Sequence, residues 1–165
     1  MTDPAFPDRP FDLAQRVVLT ATRLAVVRHD GITIADLHPL FDAGYAALAA
    51  LNAQGTITAT GPAVAVYYGD PMTTFDLELG FPVTAAPDGE ITVGSVTVRG
   101  SALPEGPAAA STYVGSYDAL GSGWQALATA ADAEPVGIWI ESYVSDPTQT
   151  SPEQLRTDLI MPVRT

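Results

Sequence analysis

The chain has 165 residues, 47% of them hydrophobic and 16% charged, enough for one packed domain and too apolar for disorder. Nineteen acidic residues against seven basic ones give a net charge of −12, and every base is an arginine. Those arginines (9, 16, 23, 28, 99, 156 and 164) are scattered, so the clustered cations that a phosphate backbone demands are missing, and no direct nucleic-acid partner is expected. The absence of Cys removes disulfides, thiolate metal sites and thiol nucleophiles. His29 and His38 match no dense ligand spacing, so neither metal nor cofactor is expected. No run approaches the ~18 consecutive apolar residues of a membrane span, and residues 1–15 carry no signal-like apolar stretch. The expectation is a soluble, cytoplasmic protein with no membrane partner. Its Lys-free, Ala- and Arg-rich usage resembles that of a GC-rich bacterial genome.

Pro4, Pro7 and Pro10 mark residues 1–15 as an extended N-terminal arm. Arg16 to Arg28 alternates at Val18, Thr20, Thr22, Leu24 and Val26 and predicts one long strand. The period then changes. Leu37, Phe41, Gly44, Leu48 and Leu51 form one stripe of an amphipathic helix, stopped by Asn52 to Gly55. Ala63 to Tyr68 follows the Gly61-Pro62 turn as a strand closed by Asp70-Pro71. Phe75, Leu77, Leu79 and Phe81 alternate with Asp76, Glu78 and Gly80, a half-buried strand with its carboxylates on the other face. Pro87-Asp88-Gly89 turns into a strand over Ile91 to Arg99, and Ala108 to Val114 resumes as a weak strand.

Leu120, Trp124, Leu127 and Ala131 then repeat the helical spacing, with Trp124 at the place of Phe41. A strand over Val136 to Val144 closes in Asp146-Pro147, and a last strand covers Thr157 to Val163. Strand, helix, strand, strand thus occurs twice. The expectation is an α+β domain over 16–165 with an internal repeat, approximately 16–85 and 91–165.

The chemistry concentrates in Gly137 to Tyr143. On a strand, Trp139, Glu141 and Tyr143 share a face, while Ile138, Ile140 and Ser142 take the other. A carboxylate among aromatic faces suits a lipophilic cation, through charge and ring quadrupole together. The other reading is that Glu141 hydrogen-bonds a Tyr or Arg, or faces water. Tyr67, Tyr68, Tyr113, Tyr117 and Tyr143 all lie at or beside predicted strand ends or helix starts, where an apolar ring with a polar tip serves either a binding site or the core. Gly121-Ser122-Gly123 lacks the strand and Lys of a phosphate loop and reads as a close helix contact. His29 beside Asp30 reads as a turn residue.

Several stretches in order, Arg28 to Gly31, Gly61 to Tyr67, Asp76 to Val83, Leu103 to Gly106, Tyr113 to Leu120 and Trp139 to Tyr143 with Asp146-Pro147, resemble the GyrI-like small-molecule-binding domain, the effector-binding module of multidrug-responsive bacterial regulators. The resemblance implies two strand-helix-strand-strand modules related by a pseudo-two-fold around a central ligand pocket. It implies that Glu141 meets cationic, hydrophobic ligands in an aromatic pocket, with Tyr117 and Tyr68 where the family places pocket aromatics, next to the Trp139 and Tyr143 of the same strand face. Tyr67 competes with Tyr68 for that role, and the role of Tyr113 stays open. Fewer than twenty residues precede the resemblance, with no helix-turn-helix, which points to a stand-alone member. Three functions follow from it: a sensor or sequestering protein for hydrophobic or cationic small molecules; a hydrolase of reactive cyclopropane-bearing natural products, in which Glu141 and Tyr117 activate water; and an inhibitor of a protein target such as gyrase. Binding ranks first, with no catalytic residue assigned to it.

Overall fold

A computed structural model describes residues 3–164. In chain order the elements are β1 (Gln15–Thr20), β2 (Arg23–Ile32), α1 (Leu37–Ala53), β3 (Ala63–Gly69), β4 (Phe75–Pro82), β5 (Ile91–Val93), β6 (Val96–Ala102), β7 (Glu105–Val114), α2 (Leu120–Ala131), β8 (Ile138–Tyr143) and β9 (Arg156–Pro162). This is an α+β fold. The described residues divide into two compact units, Ala21–Leu103, and residues 3–20 together with residues 104–164. In the Ala21–Leu103 unit the strands run β3-β4-β2-β6-β5; in the other they run β8-β9-β7-β1. Within each unit the pairings are antiparallel. Each unit contains strand, helix, strand, strand, β2-α1-β3-β4 or β7-α2-β8-β9, and the last of these, β4 or β9, lies between the other two as the central strand of the three. No helix among the described residues is long and apolar enough to cross a membrane.

Local chemistry sets the helix ends. Before α1 the Thr33 backbone N–H donates to the Asp36 carboxylate at 3.0 Å, and before α2 the Ser116 hydroxyl accepts from the Asp118 N–H at 3.1 Å. Helix α2 ends where Asp132 turns left-handed, φ 48°, and Arg16 donates to the Ala131 carbonyl at 2.9 Å. Both helices pack on the central strand of their own unit through a glycine. A Cβ on Gly44 would lie 3.2 Å from Leu79 Cδ1, and one on Gly123 would lie 3.0 Å from Leu159 Cδ1. Leu48 and Leu51 of α1 close over Ala25, Val27 and Val98; Leu127 and Ala131 of α2 close over Ala109, Leu159 and Met161. By these contacts Tyr45, one residue beyond Gly44, is the counterpart of Trp124; the spacing had matched Phe41.

Three strands differ from expectation. The stretch Arg16 to Arg28 is two strands, because Ala21 adopts φ 58° and turns the chain from β1, which pairs with β7, into β2, which pairs with β4 and β6. The apparent alternation runs on across Ala21 although Leu24 to Val27 are buried on both faces, so the pattern carries no trace of the break. Ile91 to Arg99 is likewise interrupted, at Gly94 with φ 61°, and forms the β5–β6 hairpin. The weak strand from Ala108 is the ten-residue β7, its Ala108, Ala109 and Ala110 wholly buried.

The arm is fastened rather than merely extended. Arg156 Nη1 donates to the Asp8 carbonyl at 3.0 Å, and its Nη2 to those of Pro7 and Arg9 at 3.2 Å. The same guanidinium pairs with the fully buried Asp158 at 2.9 and 3.0 Å. Phe11 N–H donates to Thr112 Oγ1, whose hydroxyl donates to Asp158. Ala5 and Phe11 of the arm are buried.

Candidate functional site

Strand β8 turns Trp139, Glu141 and Tyr143 toward α2 and buries Ile140 and Ser142 completely on the opposite side. Glu141 is 7% exposed. Its Oε2 accepts the indole N–H of Trp124 at 2.8 Å, and its Oε1 accepts the Tyr143 hydroxyl at 2.5 Å. Trp124 meets Trp139 edge-on, ring centroids 5.7 Å apart, and Tyr143 meets Tyr117 edge-on at 5.8 Å. The carboxylate is thus held inside a run of four aromatic rings, two of which hydrogen-bond to it. Burial pushes the Tyr117 phenol pKa up, and the negative charges of Glu141 and Asp146 push it further. Asp146, held by the hydroxyl and N–H of Thr148, titrates below the ordinary aspartate range.

Tyr113 has a positioning task. Its hydroxyl donates to the Ser116 carbonyl at 2.8 Å, and its ring lies 3.0 Å from where a Cβ on Gly123 would stand. It therefore braces the turn that presents Tyr117. Gly123 is the close helix contact expected of the Gly121-Ser122-Gly123 stretch.

Tyr67 and Tyr68 belong to the other unit and point to opposite faces of it. Tyr67 is buried on the α1 side against Phe75, centroids 5.5 Å apart. Tyr68 donates to Glu78 at 3.2 Å beneath the Arg28 guanidinium, which stands 5.2 Å over its ring. Desolvation, then the Glu78 charge, pushes its phenol pKa up to about 12. Glu78 is buried, contrary to the open carboxylate face expected of this strand: Arg28 Nη1 at 3.1 Å and the Ser101 hydroxyl at 2.7 Å hold it from neighbouring strands. A shallow groove in the same unit, lined by Thr33, Ile34, Ala35, Pro71, Met72, Thr73 and Thr74, includes none of the predicted site residues.

Sequence reasoning placed Glu141, Trp139 and Tyr143 on one face and Trp124 on the helical stripe, where it packs against the core cluster, without joining the two. An indole on a helix facing a strand glutamate was the available signal, since a half-buried indole N–H needs an acceptor.

No curated protein is similar enough in sequence to match. Solved structures of the same fold include the EcmrR C-terminal domain (13% identity, 92% of this chain and 98% of that one, TM-score 0.66). They include SAV2435 bound to tetraphenylphosphonium (10% identity, 91% and 93%, TM-score 0.60) and a hydrolase from Listeria innocua (16% identity, 95% and 94%, TM-score 0.58). At these identities the likeness is one of fold. The sequence itself matches the GyrI-like small molecule binding domain over residues 16–164, and with that match spanning both units the chain belongs to the GyrI-like family.

Proposed function

We propose that this protein binds amphipathic organic cations at Glu141, as a sensor or sequestering protein. The observation that carries the reading is the buried carboxylate held by the neutral donors of Trp124 and Tyr143 within the Trp139-Trp124 and Tyr143-Tyr117 ring pairs. A lipophilic cation brings a charge opposite to that of the carboxylate, and its apolar body meets ring faces, each worth roughly 0.5–2 kcal/mol of cation–π attraction. A structural neighbour carries tetraphenylphosphonium, a cation of this kind.

The test is a titration with tetraphenylphosphonium and with tetraphenylborate, alike in shape and opposite in charge, read by Trp124 and Trp139 fluorescence. The cation binds and the anion does not. Glu141→Gln keeps volume and an oxygen for the Trp124 indole, with its amide N–H donating to the Tyr143 oxygen instead of accepting, and weakens the cation by about 1–3 kcal/mol, the range of a hydrogen bond to a charged group. Equal affinity for both ions, or no effect of the substitution, would refute the reading.

A hydrolase reading has one specific support besides the hydrolase among the neighbours. The Tyr143 hydroxyl donates to Glu141, an acid–base pair that could polarise water. Turnover of an electrophilic cyclopropane, abolished by Glu141→Gln, would favour hydrolysis over binding.

A further inference from the structure

The two units provide an internal control for each other. Leu79 and Leu159 are equivalent: both are wholly buried on the central strand, and each lies against the helix glycine, Gly44 or Gly123. Strand register carries the equivalence outward. Across the row of Leu79 stand Val27 and Ala65; across that of Leu159 stand Ser111 and Glu141. One row further, Leu77 is flanked by His29 and Tyr67, and Thr157 by Tyr113 and Tyr143. The helix-facing surface is therefore apolar at Val27, Ala65 and Leu77 in one unit, and polar at Ser111, Glu141 and Thr157 in the other.

Two of the three polar groups are accounted for. Ser111 Oγ accepts the Ala14 N–H at 2.8 Å, and Glu141 holds Trp124 and Tyr143. Thr157 is wholly buried, and its hydroxyl has no hydrogen-bond partner among the described residues. An orphaned buried hydroxyl is destabilising, and leucine at the equivalent position shows that this fold accommodates an apolar residue there. The hydroxyl is not needed by the scaffold, and it stands one cross-strand row from Glu141, a diagonal of about 7–8 Å.

We propose that Thr157 belongs to the binding site and selects, among cations, those that carry N–H groups: protonated primary and secondary amines. The inference rests on the cation reading of Glu141. An ammonium has several donors to distribute. With one directed to the carboxylate, another can reach the Thr157 oxygen once the half-buried Tyr143 ring turns aside. A phosphonium or quaternary ammonium has no donor and gains nothing from Thr157.

The experiment compares tetraphenylphosphonium with 3,3-diphenylpropylammonium on the wild-type chain, Thr157→Val and Thr157→Ser, with the melting temperature of each. The valine variant is expected to melt no lower than wild type and to bind the ammonium roughly 3- to 10-fold more weakly, the net worth of one hydrogen bond. Its affinity for the phosphonium stays within about 2-fold, and the serine variant retains ammonium affinity. Equal weakening of both cations, unchanged ammonium affinity, or the same loss in the serine variant would each overturn the proposal, as would a lower melting temperature of the valine variant. If neither cation binds the wild-type chain, the reading of Glu141 itself fails. If the phosphonium binds through Glu141 and only the Thr157 effects are missing, that reading stands and this one falls.

Discussion

Two buried glutamates are satisfied by different means. Glu78 is held by the charged guanidinium of Arg28, so pairing within the fold answers its charge. Glu141 takes an indole N–H and a phenol O–H, neutral donors that stabilise its oxygens. His29 sits in the row of Leu77 and Tyr67, and burial lowers its pKa below 6.5 against the opposing pull of Asp30. The unfolded chain then binds more protons than the folded one near pH 6.5, so this stability contribution is complete above that pH and is lost as pH falls toward the lowered value. His29→Gln is expected to melt with a shallower pH dependence than wild type between about pH 7.5 and 5.5, and parallel thermal curves would refute the assignment.

At the scale of elements, β9 serves both faces of its sheet. Thr157 and Leu159 face α2, while Asp158 on the other face anchors Arg156, which grips the carbonyls of residues 7–9. A proline-punctuated arm is poor in N–H donors and rich in carbonyls needing partners, and one guanidinium meets three of them. Removing it leaves those carbonyls to water and Asp158 buried beside the Thr112 hydroxyl. Arg156→Ala should therefore cost about 3–5 kcal/mol in urea unfolding, the range for breaking a buried ion pair. A proteolytic cut within residues 3–14 should appear in that variant first. A loss under about 1 kcal/mol would mean that Arg156 is an ordinary surface pair.

At the scale of the molecule, a net charge of −12 surrounds a site that is proposed to take cations. Long-range attraction of this kind raises association rates and is screened by salt. The association rate of tetraphenylphosphonium should fall between about 0.01 and 0.15 M salt, by stopped-flow fluorescence. Glu141→Gln removes one charge of many, so the salt dependence should persist in that variant while dissociation accelerates. A salt dependence that vanishes with Glu141 would place the steering field at the site itself.

Periodicity determined both helices, the order of most strands, and the shared face of Trp139, Glu141 and Tyr143, because side-chain direction is a local property of strand and helix. Motif order along the chain carried the family. What the sequence left undecided depends on partners distant in the chain. Ala21 breaks a continuous alternation because β1 and β2 pair with different strands. Glu78 is buried because Arg28, fifty positions away, is its neighbour across the ladder. Trp124 reaches Glu141 through packing between helix and strand that no spacing encodes. The orphaned hydroxyl of Thr157 is the plainest case: whether a threonine is partnered depends on the atoms that the tertiary fold brings around it.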